Sequence, residues 1–395
     1  MSGPLEGVRV IDLTRVLAGP FATTILGDLG AEVIKVEPLG TGDPTREIAP
    51  YINGQSHYHL SINRNKESIA IDLRSKDGQD IVRRLVEKAD VLIENFRPGV
   101  LSSIGLDPVE LRLELPELII CSISGFGQTG PFRDNPSFDL VTQALSGAMS
   151  ITGEPGGPPV RMGLPLGDQI GGLYGSIATL AALYERRSTG KGAHIDLALF
   201  DGLVSLLGYV AARYFATGEV MGPVGSGHHS SVPYRAYEAK DGWIVIACMT
   251  DRFWPRICSV IGRPDMADDS RFGSFDQRTA AREEIDSAVE DAVRTKTVED
   301  WCEALSAADV PHAPILNISD VVDHPQIRHR GLIHDLTHDS YGEFRAVGDP
   351  IHFVGRDKRP VDPPPLLGEN TDKILKELGF DEFTISSLRS NRIVE

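Results

Sequence analysis

The sequence has few cysteines, fewer basic than acidic residues, and no long uninterrupted apolar stretch. Its 395 residues include 39 Lys and Arg against 56 Asp and Glu, which gives a formal net charge of −17. This acidic balance disfavours proteins that coat DNA or bind anionic membranes. It leaves room for a local basic pocket that binds a phosphorylated ligand.

The four cysteines are widely spaced and form no CxxC pair, so neither a zinc ribbon nor a redox dithiol is expected. Free, buried thiols in a reducing cytosol are the better interpretation, and no metal site is predicted. The cysteines are Cys121, Cys248, Cys258 and Cys302.

Apolar stretches are broken by charges or glycines before they reach the ~18 residues that a membrane-spanning helix needs. The start of the chain, MSGPLEGVRV, has neither the basic region nor the apolar centre of a signal peptide. With 41% apolar and 24% charged residues, the composition is that of a globular protein. We therefore expect a cytoplasmic protein without a membrane segment.

Short β-branched runs alternate with amphipathic helical patterns in the first third of the chain. This alternation predicts an α/β fold, with a parallel sheet covered by helices on both faces. The predicted strands are Val8–Leu13, Glu32–Glu37, Ser68–Leu73, Asp90–Asn95, Leu118–Ser124 and, further on, His194–Ala198. The predicted helices are Pro20–Leu29, Lys76–Ala89, Pro108–Glu114, Gln169–Arg186 and Phe200–Thr217.

The composition changes at residues 219–231, which are rich in Gly, Ser and His and typical of a linker with a flexible loop. A hairpin pattern over residues 234–248 and several helical patterns indicate a smaller α+β unit. These helical patterns are Arg252–Ile261, Gln277–Arg294 and Val298–Ala308. Hairpin-like stretches and a last helix from Asn370 end the chain, so the expected parts are 1–218, 219–330 and 331–395.

The turn after the first strand does not match a nucleotide-binding fingerprint. Asp12–Gly19 contains one glycine where the dinucleotide motif needs three, and the chain has no Walker loop. Glu37 ends the second strand, where it imitates the acid that binds a ribose hydroxyl. Without the glycines, NAD binding is disfavoured.

The glycine-rich segment around His228 and His229 allows two interpretations. The adjacent histidines lack the spacing and the third ligand of a zinc site, so a flexible, exposed loop is favoured over a metal site. A mobile lid that uses Gly225 and Gly227 is the alternative, because glycines permit the large changes of backbone angle that a lid requires.

Asp168 lies between a Pro/Gly-rich approach and a long apolar helical pattern. As an N-cap, its carboxylate would accept the first free backbone N–H groups of the helix. As a nucleophile, it would stay ionised at the helix N-terminus and form a covalent acyl intermediate. The local pattern alone favours the cap. Small residues along the helix predict that it is buried against another backbone.

Ordered motifs along nearly the whole chain resemble the class III CoA-transferases (CaiB/BaiF family), which include formyl-CoA transferase and carnitine CoA-transferase. Each motif is weak alone, and the ordered set is specific. The motifs are DLTRVLAGP at 12–20, GAEVIKVE at 30–37, GDPTR at 42–46, NK at 65–66, ENFRPG at 94–99, SGFGQTG at 124–130, GD at 167–168, ERRSTGKG at 185–192 and PPLLGENT at 364–371.

The resemblance implies that Asp168 is the catalytic nucleophile. In this family the matching aspartate attacks an acyl-CoA thioester, which gives a mixed anhydride on the enzyme and CoA thiolate. The thiolate attacks back to give an aspartyl-CoA thioester, the acceptor carboxylate displaces CoA, and a second exchange releases the new acyl-CoA. The implied function is acyl-CoA:carboxylate CoA transfer, with CoA and acyl-CoA as substrates and no permanently bound cofactor.

The resemblance also implies CoA contacts, which are carried over residue by residue. Pro38 and Ser103 stand where formyl-CoA transferases have basic residues, and Arg97 is the neighbour that compensates. The implied CoA-binding residues are Arg15, Val16, Ala18, Ile71, Arg74, Asn95, Phe96 and Arg97.

Substrate positions differ from those of formyl-CoA transferases. Leu17 and Ile48 replace a glutamine and a tryptophan, which disfavours oxalate as the acceptor. Residues 225–234 instead resemble family members that use succinyl-CoA and related dicarboxylates. The implied lid residues are Gly225, Gly227 and His228.

By resemblance, both chain ends build a Rossmann-like large domain, a smaller α+β domain lies between them, and two chains form an interlocked homodimer. The expected partners are acyl-CoA and small carboxylic acids. One rival is an α-methylacyl-CoA racemase-like isomerase, which needs a histidine where this chain has Phe138, a residue that cannot exchange a proton. The other rival is a non-catalytic CoA-binding protein.

Overall fold

The structure is a computed structural model that describes residues 3–395, and these residues form two compact units. The larger unit comprises the chain up to Ala148, Arg161–Ala216 and Arg328–Glu395. The smaller unit comprises Met149–Val160 and Thr217–Ile327. Both ends of the chain therefore contribute to the larger unit, and a short segment before Asp168 joins the smaller one.

The strands are short and rich in Val and Ile, residues that favour extended backbone. In chain order they are β1 (Arg9–Asp12), β2 (Glu32–Glu37), β3 (Tyr51–Ile52), β4 (Gln55–Ser56), β5 (Lys66–Ala70), β6 (Val91–Glu94), β7 (Ile119–Ser124), β8 (His194–Ala198), β9 (Tyr234–Glu238), β10 (Trp243–Ala247), β11 (His312–Pro314), β12 (Ile333–His338) and β13 (Gly342–Val347).

Six strands of the larger unit form one parallel sheet in the order β5-β2-β1-β6-β7-β8. The chain first builds outward from β1 to β5 and then restarts beside β1 with β6. This is the doubly wound order, in which the crevice between β1 and β6 is the usual ligand position. The predicted α/β class and the Rossmann-like larger unit are confirmed.

Helices of the larger unit cover both faces of this sheet, and further helices belong to the smaller unit. In chain order they are α1 (Ala18–Asp28), α2 (His57–Ser61), α3 (Lys76–Glu87), α4 (Val100–Ser103), α5 (Pro108–Glu114), α6 (Asp139–Leu145), α7 (Leu166–Thr189), α8 (Leu199–Ser205), α9 (Gly208–Thr217), α10 (Phe253–Val260), α11 (Pro264–Asp268), α12 (Phe275–Ala280), α13 (Arg282–Val293), α14 (Val298–Ala307), α15 (Ile318–Val322), α16 (Pro325–Arg330), α17 (Thr371–Glu377) and α18 (Glu382–Ser390).

Two predicted helices are divided in the structure. The segment predicted as one helix over Phe200–Thr217 forms α8 and α9, which are bent by 66° relative to each other. The segment predicted as one helix over Gln277–Arg294 likewise forms two helices, α12 and α13.

In residues 3–395 no unbroken helix is long and apolar enough to span a membrane, and only the bent α8–α9 pair has that length and apolar character together.

Helix α7 packs closely against α1 through its small residues. A Cβ atom added to Gly172 would lie 2.8 Å from the Ala18 carbonyl oxygen, so glycine is required for this approach. The opposite side of α7 is exposed, and Ile177 keeps 58% of its accessible surface. The prediction that α7 is buried is therefore correct for one face only, because its apolar residues extend around the helix while a single chain covers just one side.

The smaller unit has its own hydrophobic core and an antiparallel sheet in the order β11-β10-β9. The predicted hairpin pairs Trp243 with Glu238 and Ala247 with Tyr234. The large buried side chains Trp254 and Trp301 pack within this core. This unit therefore buries its apolar surface internally.

Candidate active site

A cavity of about 530 Å³ lies at the carboxyl ends of four adjacent parallel strands of the larger unit. Its walls come from the segments that follow β1, β2, β5 and β6, so it occupies the crevice that the doubly wound order creates. The lining residues are Arg15, Pro38, Leu39, Thr41, Gly42, Pro44, Ile71, Asp72, Leu73, Arg74, Phe96, Val100 and Ile104.

The side chain of Asn95, which follows β6, fixes the backbone of the loop that follows β1, at the place where the strand order reverses. Its Oδ1 accepts the Arg15 backbone N–H at 2.8 Å, and its Nδ2 donates to the Arg15 carbonyl oxygen at 2.8 Å. The Arg15 guanidinium lies 4.9 Å from the centre of the Phe96 ring. A cation and an aromatic face therefore line the same wall of the cavity.

The structure brings four of the residues with implied CoA contacts to this cavity, namely Arg15, Ile71, Arg74 and Phe96. Ala18 is buried at the start of α1, and Arg97 is exposed outside the cavity lining. Pro38 contributes an apolar surface to the wall, so the positive charge of this cavity comes from two arginines.

A buried ionic cluster lies beneath the cavity. Lys66 Nζ is 3.1 Å from Asp12 Oδ2, and Lys35 Nζ is 3.0 Å from Asp43 Oδ2, with all four side chains withdrawn from water. Burial raises the pKa of Asp12, but the charges of the two lysines, together with hydrogen bonds from Thr14 and Thr23, outweigh this effect, and the pKa lies below its ordinary value. Each buried charge is thus compensated by an opposite one.

Glu37, which imitates a ribose-binding acid in the sequence, is occupied within the protein. Arg46 donates to both of its oxygens, at 2.8 and 2.6 Å, and Ser68 Oγ donates at 2.7 Å. Although burial opposes ionisation, the hydrogen bonds and charge of Arg46 lower the pKa of Glu37 to about 2. Glu37 is therefore a structural ion-pair partner.

Asp168 is the third residue of α7, whose N-cap position is Pro165. The N-cap interpretation of Asp168 is wrong, because residues 3–395 contain no hydrogen bond or ion pair to its carboxylate. Burial and the charge of Asp139 raise the pKa of Asp168 to about 7. Desolvation and Asp139 therefore oppose the ionised form that a helix N-terminus favours.

Asp139 shapes the approach to Asp168, and sequence reasoning missed this role. Its Oδ1 accepts the Gly167 backbone N–H at 2.7 Å, and its Oδ2 accepts from Gln143 Nε2 at 2.7 Å. Gln143 Oε1 in turn accepts the Met162 backbone N–H at 2.9 Å. Because the Gly167 amide is already bonded, it is not available to stabilise an oxyanion.

Tyr58 is a second residue that the sequence did not reveal. It is half-buried, and burial together with the charges of Asp168, Asp43 and Asp139 raises its pKa. Its hydroxyl group therefore stays protonated, in a region of negative charge that includes Asp168. The signal was weak, because Tyr58 occurs in a segment without a recognisable periodic pattern.

Other candidate reactive groups are excluded by their surroundings. Burial raises the pKa of the Cys121 thiol to about 12, and that of Cys248 to about 11, so neither supplies a thiolate at neutral pH. Phe138, at the position where a racemase needs histidine, is 74% exposed and precedes α6. In residues 3–395 no three potential metal-ligating side chains cluster together.

The glycine-rich loop of the smaller unit is held by hydrogen bonds within that unit. The Gly225 backbone N–H donates to the Gly153 carbonyl oxygen at 2.8 Å. Arg282 donates to the carbonyl oxygens of His228 and His229, at 2.9 and 3.1 Å. Burial, followed by the charges of His229 and Arg282, lowers the pKa of His228, which favours the neutral imidazole.

These features describe a doubly wound α/β protein with a basic, partly apolar crevice at the strand ends and an unpaired carboxyl group at the start of a neighbouring helix. The pattern of CoA-transferase family III matches residues 5–371. The chain therefore belongs to CoA-transferase family III, as the ordered motifs predict, and it is a CoA-transferase.

Individual relatives agree over nearly the full length. The chain is 39% identical to the succinyl-CoA:glutarate CoA-transferase of Homo sapiens, over 99% of this chain and 90% of that protein. It is 40% identical to the acetyl-CoA:oxalate CoA-transferase of Acetobacter aceti, over 96% of this chain and 97% of that protein. The crystal structure of a CAIB/BAIF family protein from Brucella suis has a TM-score of 0.86 and 37% identity, over 96% of this chain and 100% of that one.

Proposed function

We propose that this protein transfers CoA from an acyl-CoA donor to a free carboxylic acid through covalent intermediates on Asp168. The observation that carries the proposal is the state of this carboxyl group. It has no hydrogen-bond or ion-pair partner in residues 3–395, and its pKa of about 7 lies far above the ordinary value. Such a group is only partly ionised near neutral pH, and its raised basicity makes the ionised form a better nucleophile.

The reaction balances in four steps. One Asp168 oxygen attacks the thioester carbon, the C–S bond breaks, and CoA leaves as a thiolate. The thiolate attacks the aspartyl carbonyl of the mixed anhydride, which releases the donor acid and leaves an aspartyl-CoA thioester. The acceptor carboxylate displaces CoA to form a second anhydride, and the thiolate then attacks the acceptor acyl carbon. New acyl-CoA leaves and Asp168 is regenerated.

The crevice at the strand ends is the proposed CoA site. Arg15 and Arg74 offer positive charge to phosphate groups, and Phe96 and Ile71 offer apolar surface to the adenine and pantetheine parts. Its volume of about 530 Å³ suits part of a large cofactor. Val16, Ala18, Asn95 and Arg97 complete the CoA-binding set by family resemblance.

The proposed substrate pair is a dicarboxylate and its CoA ester, with succinyl-CoA as the first candidate donor. The resemblance of residues 225–234 to family members that use succinyl-CoA supports this choice. The relative named for glutarate also supports it. The relative named for oxalate makes oxalate a necessary member of any acceptor panel, although Leu17 and Ile48 disfavour it.

The decisive assay combines acyl-CoA donors with dicarboxylic and monocarboxylic acids and identifies the CoA esters by mass spectrometry. We expect transfer by the wild type and a loss of at least ~10³-fold in Asp168→Asn, with CoA binding retained. Asp276→Asn is the matched control, because Asp276 is an exposed aspartate in the first turn of another helix. A fully active Asp168→Asn enzyme, free of deamidation, contradicts the proposal.

Two further outcomes identify the rival functions. Exchange of deuterium into the α-carbon of a 2-methylacyl-CoA, without any acceptor acid, would indicate the racemase-like isomerase. CoA binding without turnover of any pair in the panel would indicate a non-catalytic CoA-binding protein.

We propose a homodimer as the working form. The exposed apolar face of α7, with Leu173, Ile177 and Tyr184, is a large unpaired surface of the kind that subunit contacts cover. Sedimentation should give twice the chain mass of 42.9 kDa. An active species that sediments as a monomer contradicts this proposal.

We propose that residues 225–231 act as a lid that keeps water from the acyl intermediates. Gly225 has a φ of 61°, and a Cβ atom there would lie 2.8 Å from a Glu154 carboxylate oxygen. Replacing Gly225 and Gly227 by alanine should therefore disturb the loop and raise hydrolysis of acyl-CoA relative to transfer. An unchanged ratio of the two products argues against the lid.

A further inference from the structure

Val16 has a backbone conformation that a valine rarely adopts. Its φ is 65°, in the left-handed region, where the branched Cβ is crowded and glycine is favoured. Most other non-glycine residues with positive φ in the described chain are Asn or Asp, which tolerate this region: Asn53, Asn65 and Asp309. The conformation of Val16 therefore requires support from its surroundings.

The support comes from the carboxylate of Asp43. Both of its oxygens lie 3.3 Å from the Val16 backbone nitrogen, whose N–H donates to them. Lys35 Nζ lies 3.0 Å from Asp43 Oδ2, and the Thr45 backbone N–H and hydroxyl both donate to Oδ1. Lys35 also donates to the Thr14 carbonyl oxygen at 2.9 Å. The buried Lys35–Asp43 pair therefore holds the turn at Thr14 and at Val16, on both sides of Arg15.

The turn is held from its other side by Asn95, which bonds both backbone groups of Arg15. Because Arg15 and Val16 are consecutive, the backbone between them has little freedom to rotate. This constraint directs the Arg15 side chain over the Phe96 ring and into the cavity wall. The strained turn therefore sets the shape of the crevice.

We infer that Asp43 is a positioning residue for the CoA pocket, which acts by holding Val16 in its left-handed conformation so that Arg15 faces the ligand. This inference rests on the proposed function, because it takes the crevice to be the CoA site. Asp43 acts through the backbone of Val16 and touches no reacting atom.

A purely structural role for Asp43 has to be separated from this one. Asp43 also caps the turn Pro44–Glu47 and neutralises buried Lys35, so its replacement affects the fold in any case. Glycine at position 16 adopts the left-handed conformation without support. Val16→Gly therefore removes the need for Asp43 as a positioning group and leaves its structural contacts intact.

The test is a double-mutant cycle of Asp43→Asn and Val16→Gly, with the Kd for free CoA measured by calorimetry and unfolding followed in parallel. In Asp43→Asn, Oδ1 stays with Thr45 and within reach of the Val16 N–H, but the Nδ2 group replaces the other acceptor and the negative charge is gone, so the support is weakened. We expect Kd to rise at least tenfold in the Val16 background and less than threefold in the Val16→Gly background. The loss of thermal stability should be the same in both backgrounds.

Equal increases of Kd in the two backgrounds would overturn the inference and leave the proposed function standing. A wild-type protein that binds no CoA would overturn both. If Asp43→Asn alone does not fold, the pair Lys35→Met and Asp43→Asn, which leaves no unpaired buried charge, replaces it in the same cycle. Because Lys35→Met also removes the bond to the Thr14 carbonyl oxygen, Kd rises in both backgrounds, and the rise should again be smaller in the Val16→Gly background.

Discussion

Two sets of carboxylates in the larger unit differ in their partners: Asp12 and Asp43 are fully buried, whereas Asp168 is partly buried. Asp12 and Asp43 each pair with a buried lysine, Lys66 and Lys35, and their pKa values lie below the ordinary value although burial raises them. Asp168 has no such cation within residues 3–395, and burial raises its pKa to about 7. A compensated buried charge therefore stabilises the fold, whereas an uncompensated carboxyl group can change its protonation state near neutral pH.

Breaking a compensated pair should have the largest effect on the fold. Lys66→Met leaves Asp12 without its nearest buried cation, and we expect the free energy of unfolding to fall by about 3–5 kcal/mol. The double variant Lys66→Met with Asp12→Asn leaves no unpaired charge and should lose less than the single variant. Urea unfolding of the three proteins measures both values, and an equal or greater loss in the double variant contradicts this account.

The uncompensated carboxyl group should instead appear in the pH dependence of catalysis. Because the proposed nucleophile, Asp168, has to be ionised to attack, we expect kcat/KM to fall about tenfold per pH unit below about pH 7 and to level off above it. Asp139→Asn removes the neighbouring negative charge while its Oδ1 still accepts the Gly167 amide, so the acid limb should move to lower pH. The measurement is kcat/KM from pH 5 to pH 9.

Glu94 provides the matched control for this pH profile. It is buried, its Oε2 accepts the Phe96 backbone N–H at 2.7 Å, and burial raises its pKa to about 7 as well. Glu94→Gln should keep the acid limb of the profile where the wild type has it. A limb that disappears in Glu94→Gln and persists in Asp139→Asn would assign the titration to Glu94.

The smallest expected effect is a gain in stability. The folded-state pKa of Asp168 lies above the ordinary value, so the folded chain binds the proton more tightly than the unfolded chain, and stability falls as pH rises from about 4 through 7. Asp168→Asn removes this cost. Its Tm should exceed that of the wild type by about 2 °C at pH 8 and equal it near pH 4. A lower Tm at pH 8 would indicate that Asp168 is a structural group.

The strands of the larger sheet could be predicted because β-branched runs mark them, and β2 (Glu32–Glu37) and β8 (His194–Ala198) have the predicted bounds. The partners of the buried lysines could not be predicted. Lys35 stands in an otherwise apolar run, which signals that a counter-charge must exist, but Asp43 approaches it only after the chain has turned. Contacts of this kind depend on tertiary geometry that no local pattern specifies.

The candidate site shows the same division. The ordered motifs single out Asp168 as the candidate nucleophile, whereas its pKa depends on burial and on Asp139, 29 positions earlier in the chain. The local pattern favoured an N-cap because aspartate near a helix start usually caps it. The backbone begins the helix before Asp168, so this carboxylate lies inside the first turn and its position does not cap the helix.

Trapping with hydroxylamine shows directly whether Asp168 carries the acyl group. Wild-type protein is incubated with a competent acyl-CoA, quenched with hydroxylamine, digested and analysed by mass spectrometry, with Asp168→Asn and Asp276→Asn treated in parallel. We expect an aspartyl hydroxamate at Asp168 alone, in the wild type and in Asp276→Asn, and none in Asp168→Asn. A hydroxamate at another residue, or transfer that proceeds with no trapped residue, would contradict this expectation.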